Sequence, residues 1–178
     1  MSDAIFNQAV AIVLRHEGGY QADPADRGNW TSGQIGIGEL KGTNHGISAL
    51  SYPNEDIRGL TEDRARDIYF RDFWLAGPAL LQDPGVAGKL LDIAVTMERN
   101  GRHGPAIRIL QKAVCDCGIQ VNTDGDLGNL TIAAANQLDG PTLLAAMRNA
   151  AVEHYRAIVA ENPSLAKWLP GWEARAKA

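Results

Sequence analysis

Between two stretches of helical periodicity lies a run of about 40 residues, Tyr20 to Leu60, that has none. It is rich in Gly, Pro, Asp and Asn, the residues of turns. Irregular runs of that length are uncommon inside compact domains and usually carry function. Short hairpin strands are expected within it, around Gln34–Leu40.

The flanking sequence is helical. Residues 3–16 place Ile5, Phe6, Ala9, Val10, Val13 and Leu14 on one stripe, with Ser2 as N-cap and Gly18–Gly19 as the stop. In LTEDRARDIYFRDFW, Thr61 is the expected N-cap and Glu62 and Asp63 suit the positive first turn. Ala65, Ile68 and Tyr69 make its buried face. PGVAGKLLDIAVTMERNG turns Val86, Leu90, Ile93, Ala94 and Met97 inward. GPAIRILQKAVCDCG starts with Pro105 at the first helical position and stops at Gly118. A short helix is expected over Thr131–Leu138, and a long one from Gly140 to the Asn162–Pro163 stop. The fold is therefore expected to be mainly α with a small β element.

A chain of 178 residues forms one compact domain or two small, closely packed halves. A hydrophobic content of 45% supplies a core, yet no apolar run approaches the roughly 20 residues of a membrane span. The N-terminus lacks the basic start and small-residue cleavage site of a signal peptide, so synthesis and retention in the cytoplasm are expected. The net charge of −4 gives no basic field for nucleic acid. Residues 1–95 carry −5 (8 Lys+Arg, 13 Asp+Glu) and residues 96–178 carry +1 (9 against 8). An acidic first half fits either a carboxylate-lined cleft or a solvated surface.

Several tempting motifs fail on mechanism. GQIGIGELKG has the glycine spacing of a phosphate loop, but Glu39 stands where the lysine must be. His16, His45, His103 and His154 are scattered, and Cys115 and Cys117 have no further ligands, so no metal or other cofactor is expected. DGDLG lacks the closing acid of a calcium loop and reads as a tight turn.

HEGGYQADPADRGN, residues 16–29, is the informative stretch. Glu17 ends an apolar helix, where the negative end of the macrodipole disfavours a charged carboxylate. Two glycines leave space beside it. A carboxyl kept protonated can donate to a leaving oxygen, as glycosidic cleavage requires. A second group must act as nucleophile or base, or hold a water. Asp26 is the candidate and Asp23 its competitor. Each residue also has a plainer reading, as an exposed helix-end glutamate and as turn-forming aspartates.

The stretch resembles the N-terminal signature of glycoside hydrolase family 108, the muramidase family of phage endolysins. Glu17, Gly18, Gly19, Tyr20, Asp23, Pro24, Asp26 and Gly28 match it. Thr43, Asn44, Gly46 and Ile47 match its second half, with Ser48 replacing a threonine, after an insertion of about Trp30 to Gly42. Trp74 takes the family's usual aromatic position. AIRILQKAV, NTDGDLGNLT, Tyr155 and PGWEAR are similar to the peptidoglycan-binding segment that accompanies the family, with Leu110–Gln111 and Asp124-Gly125-x-x-Gly128 as its marks. One departure is that Asn100 and Gly101 come later than usual after Asp92-Ile93-Ala94-Val95. A second echo, to phage lysozymes of the T4 type, lies in the spacing from Glu17 to Asp26 and in the QIGIGEL that follows. It offers Thr31 as the hydroxyl that positions water; the family pattern offers Thr43, which is preferred.

The resemblance implies a lysozyme-like helical fold with a β-hairpin lobe beside the cleft. It implies a muramidase half over residues 1–95 and a peptidoglycan-binding half over 96–178, packed together and monomeric. Glu17, Asp26 and Thr43 are the implied catalytic residues. Tyr20, Asp23, Trp30, Asn44, His45 and Trp74 are candidates for substrate contact. The implied substrate is the bond between N-acetylmuramic acid and N-acetylglucosamine in peptidoglycan, with a holin or secretion system providing passage to the wall. The alternatives are a lytic transglycosylase, a chitinase-type glycosidase, and a non-catalytic wall-binding or secretion-helper protein. Trp168 and Trp172 are further aromatic candidates, as core or as sugar contacts.

Overall fold

A computed structural model describes residues 2–97 and 103–178, except for the side chains of Ser2, Asp3 and His16. Asn100 and Gly101, and the capping group of Ser2, lie outside what is described. Seven α-helices appear among the described residues: α1 (Ser2–His16), α2 (Glu62–Tyr69), α3 (Pro84–Met97), α4 (Gly104–Asp116), α5 (Asn129–Gln137), α6 (Gly140–Glu161) and α7 (Leu169–Lys177). The single sheet described is a hairpin of β1 (Thr43–Asn44) and β2 (Ile47–Ser48). The fold is mainly α and lysozyme-like.

The helices form for the reasons visible in their sequences. The Thr61 hydroxyl caps α2 by accepting from the Arg64 N–H. The end of α4 is a complete Schellman motif. Gly118 adopts φ +96°, its N–H reaches the Cys115 carbonyl, and the Ile119 N–H reaches that of Val114. Asp139 caps α6. The start of α4, at Gly104 and Pro105, and the end of α6, at Glu161 before Asn162–Pro163, lie where the sequence puts them.

Three expectations need correction. Gln34–Leu40 forms no strands; Trp30 and Leu40 pair as an isolated bridge that closes the insertion, and the hairpin lies at Thr43–Ser48. Gly33, Gly36 and Gly38 in that segment all have φ near +70 to +80°, which breaks a pleated ladder. Second, Gly18 and Gly19 do not form a left-handed cap of α1, since neither adopts a left-handed φ. Third, α2 passes into a π-helical turn over Phe70–Trp74, with the Leu75 N–H bonded to the Phe70 carbonyl. The wider turn lets the adjacent Phe73 and Trp74 both face the core. Beyond the α6 stop at Asn162–Pro163, a 3-10 segment, Pro163–Trp168, leads into α7.

α3 is the common wall of the molecule. Every residue from Val86 to Ala94 except Gly88 is buried. The helix packs against α1 on one side and against α4 and α6 on the other. A helix apolar nearly all round belongs in an interior. Lys89 and Asp92 are therefore anomalies, two charged residues buried within it.

Candidate active site

Glu17 is the first residue beyond α1, and its N–H still bonds to the Val13 carbonyl at 3.1 Å. A Cβ at Gly18 or Gly19 would meet nothing within 4 Å. The two glycines thus provide clearance beside the carboxylate, not a left-handed cap.

The opposite side of Glu17 is closed by the hairpin. β1 and β2 are joined by His45–Gly46, with φ +49° and +78°, the two-positive-φ signature of a type I′ turn. A left-handed histidine is uncommon and stores strain. The turn is held by the Tyr69 hydroxyl, which donates to the His45 carbonyl at 2.8 Å. Gly46 lies against the Glu17 side chain so closely that a Cβ there would strike both Glu17 and the Tyr69 hydroxyl.

The lobe behind the hairpin is organised around Asn29, which is fully buried. Its Oδ1 accepts from Thr43 Oγ1 at 2.7 Å and from Gln21 Nε2 at 3.1 Å. Its Nδ2 donates to Gln21 Oε1 at 2.8 Å and to the Asp23 carbonyl at 3.0 Å. Its own carbonyl accepts the N–H groups of Lys41 and Gly42. Gln21 and Thr43 also exchange backbone bonds at 2.9 and 2.8 Å. One amide side chain thus fixes where β1 runs relative to the chain leaving Glu17.

Glu17 also has a charged partner 158 residues along the chain. Arg175 Nη2 donates to Glu17 Oε1 at 3.0 Å, and Arg175 Nε donates to Asp92 Oδ1 at 3.0 Å. Lys89 Nζ lies 3.4 Å from Asp92 Oδ2 and donates to the Arg175 carbonyl at 2.8 Å. Acidic and basic side chains alternate along this chain. Burial pushes the Lys89 ammonium below its ordinary value, with Asp92 opposing the shift. Arg175 is also partly desolvated, but Asp92 and Glu17 outweigh that and hold its guanidinium above the usual value.

The other expected site residues are dispersed. Asp26 is exposed, and its Oδ1 caps the 3-10 turn Arg27–Asn29 by accepting from the Gly28 N–H at 2.8 Å. Asp23 Oδ1 accepts from the Ala25 N–H, an Asx turn. Tyr20 is exposed under the Arg58 guanidinium and borders a pocket of about 390 Å³ with Leu40, Lys41 and Arg58. Trp30 is half-buried, its Nε1 donating to the Pro24 carbonyl at 2.9 Å. Thr31 Oγ1 accepts from the Glu39 N–H within the insertion, whereas Thr43 lies on the strand that leads into the His45–Gly46 turn. Asn44 and Trp74 sit in the interior. The Asn44 amide donates to the carbonyls of Ile57 and Leu60, and Trp74, 1% exposed, packs on Phe6. Each braces the lobe or the core from behind.

In the second half, Gln111 knots the DGDLG turn. Its Nε2 donates to Asp124 Oδ1 at 2.8 Å and its Oε1 accepts from the Gly125 N–H at 2.9 Å. The Asp126 N–H also donates to Asp124 Oδ1. These donors hold the Asp124 carboxyl below its usual range, the Asp126 N–H most of all. Trp172 stacks on Tyr155, and Trp168 is exposed with Lys167 over its ring. A groove of about 740 Å³ lies along Ile119–Asn122 and the first turns of α5.

A recessed carboxylate at a helix end, open on its glycine side and walled by a strained hairpin, suits a general acid for glycosidic cleavage. Comparison with known proteins agrees. Residues 10–97 match the family described as Glycosyl hydrolase 108, and residues 105–177 match the family described as Predicted Peptidoglycan domain. The first half of the chain is thus a glycosyl hydrolase 108 segment, with a peptidoglycan domain behind it. It is a glycoside hydrolase, and peptidoglycan is the polymer it degrades. Among solved structures it is similar to that of Brucella abortus SagA, at 25% identity and a TM-score of 0.71, covering 98% of this chain and 90% of that one. A comparison with curated proteins finds no match.

Sequence reading missed Asn29, Lys89, Asp92 and Arg175 as parts of the site. Two of them had left a trace. Asp92 opens the Asp-x-Ala-Val segment and Arg175 closes PGWEAR, both recognised as family marks but without roles.

Proposed function

We propose that the protein is an endo-N-acetylmuramidase of the lysozyme type, hydrolysing the β-1,4 bond between N-acetylmuramic acid and N-acetylglucosamine. The observation that supports this best is Glu17, recessed against Gly46 and open towards Gly18–Gly19, within the family 108 segment. Glu17 is the proton donor to the glycosidic oxygen. Thr43 positions the attacking water from β1, and Asp26 stabilises positive charge on the sugar from the facing loop. Tyr20, Asp23, Trp30 and His45 border the glycan path. Residues 1–95 are the catalytic half and 96–178 the peptidoglycan-binding half. The protein acts as a monomer, released from the cytoplasm to the wall through a holin or secretion system, as a phage or prophage endolysin does.

The test is digestion of purified peptidoglycan by wild type and Glu17→Gln, with mass spectrometry of the fragments. Reducing muramic-acid ends, formed about 10²–10⁴-fold more slowly by Glu17→Gln, are expected for loss of a general acid. Anhydro ends from the wild type mean a transglycosylase. Equal rates for both proteins remove Glu17 from the mechanism.

A further inference from the structure

We infer that Arg175, on the last helix of the peptidoglycan domain, is a positioning residue for the hydrolytic site: it fixes the Glu17 carboxyl and stabilises the charge Glu17 acquires as it gives up its proton. The inference rests on the reading of Glu17 as proton donor.

Three observations carry it. The first is geometry. Arg175 bridges Glu17 and Asp92 through separate nitrogens, Nη2 and Nε, each at 3.0 Å. A guanidinium anchored at both ends cannot swing away, so Glu17 Oε1 is held and Oε2 remains to reach a glycosidic oxygen. The second is burial. The Asp92 and Lys89 side chains are 7% and 6% exposed, and those of Glu17 and Arg175 about a fifth. Charge pairs so shielded act far more strongly than surface pairs. The third is the docking of α7. Lys89 Nζ donates to the Arg175 carbonyl at 2.8 Å, Arg148 Nη2 to that of Ala178 at 2.7 Å, and Arg156 Nε to Glu173 at 2.7 Å. Ala176 is buried, and Trp172 stacks on Tyr155. The helix presents Arg175 from a rigid seat.

The chemistry follows. When Glu17 passes its proton to the leaving sugar oxygen, a neutral acid becomes a carboxylate. A fixed guanidinium at 3.0 Å interacts more favourably with that carboxylate than with the acid, so its contribution grows along the reaction coordinate. No reorganisation is required, because Asp92 already holds Arg175 in place. The family boundary near residue 100 is therefore not the boundary of the active site: the segment at 105–177 supplies one of its charges.

The experiment uses the full chain in four variants: Glu17→Gln, Arg175→Met, Arg175→Lys and Asp92→Asn. Each is assayed for kcat and KM on solubilised glycan strands and for its melting temperature. Arg175→Met is expected to lower kcat about 30-fold with KM within about twofold, the pattern of an interaction made in the transition state. Arg175→Lys restores charge without the two-ended anchor and is expected to recover kcat to within about 5-fold of wild type. An inactive Glu17→Gln beside an Arg175→Met of wild-type kcat overturns the inference and leaves the reading of Glu17 intact. A fully active Glu17→Gln removes that reading and the inference with it. A kcat that falls only in proportion to the folded fraction, with no recovery by lysine, also overturns it. Should Arg175→Met not fold, Asp92→Asn decides, since it keeps Arg175 but removes the charge of its second anchor: a several-fold loss of kcat supports the inference, and an unchanged kcat ends it.

Discussion

The lobe between α1 and α2 and the helical body made by α4 to α6 solve the same problem by opposite means. The body buries Ile109, Leu110, Val114, Leu143, Met147 and Ala151, and its helices satisfy their own backbones. Its principal buried polar knot is Gln111, which ties down one turn. The lobe has two-residue strands and few buried apolar groups, chiefly Ile47, Ala49, Ile57 and Leu60. Its backbone groups are satisfied through Asn29, Gln21, Thr43 and Asn44. Apolar packing is tolerant and non-directional, whereas hydrogen bonds fix position. A site that must hold a hairpin against a carboxylate gains from the second kind, at the expense of stability.

Asn29→Ala is expected to break this contrast most visibly. It strips Thr43, Gln21, Lys41 and Gly42 of a shared partner or of its fixed position, with an expected loss of about 3 kcal/mol in urea unfolding. Activity should disappear at temperatures where helical circular dichroism is still native. Simultaneous loss of both signals means that lobe and body are one cooperative unit. Gln111→Ala is the counterpart, with an expected destabilisation of about 2 kcal/mol from the orphaned Asp124–Gly125 turn. Its kcat should stay native, because the apolar body keeps α3 and α7 in place. A drop in kcat refutes the division of labour.

The glycines sharpen the comparison within the lobe. Gly46→Ala must hold a left-handed conformation, worth about 1–2 kcal/mol, and must push Glu17 and Tyr69 aside. Gly18→Ala meets open space in an ordinary backbone region and should lie within about 0.5 kcal/mol of wild type. Peptidoglycan digestion should fall well below wild type for Gly46→Ala even after its folded fraction is accounted for. A native rate in Gly46→Ala removes the hairpin turn from the site.

The same contrast governs what could be read from the sequence. Helices with local causes were legible: the Thr61 cap, the Gly118 stop and the α1 stripe all act within a few residues. Glu17 was legible because its motif is contiguous. The lobe was not, because the hydrogen bonds of Asn29 span 6 to 14 positions and leave no period. Gly36 and Gly38 suggested a hairpin at Gln34–Leu40, where their positive φ in fact prevents one. Trp74 read as a sugar contact from its place in the family pattern, yet the π turn that buries it has no sequence pattern of its own. Arg175 was out of reach because an ion pair over 158 positions has no local signature.

The smallest expected effect lies in the body and depends on pH. Asp139 caps α6 through Oδ2, which accepts the Thr142 N–H at 3.1 Å and its hydroxyl at 2.7 Å. Those donors, the hydroxyl first, hold the Asp139 carboxyl below its usual 3.8. A carboxyl whose folded value is depressed binds fewer protons folded than unfolded. Its stabilisation is therefore complete above the ordinary aspartate value and is lost as pH falls through the lower folded one. Asp139→Ala should melt slightly below wild type at neutral pH, and the gap should close in acid, where the wild-type cap is protonated. Asp139→Asn caps without titrating, so its melting temperature should stay near wild type at neutral pH and exceed it in acid. A gap between alanine and wild type that persists unchanged to about pH 2 means that the ionised form is not what makes Asp139 a cap; no gap at any pH means that α6 is held by its apolar face alone, and that even the caps of the helical body contribute less than its packing.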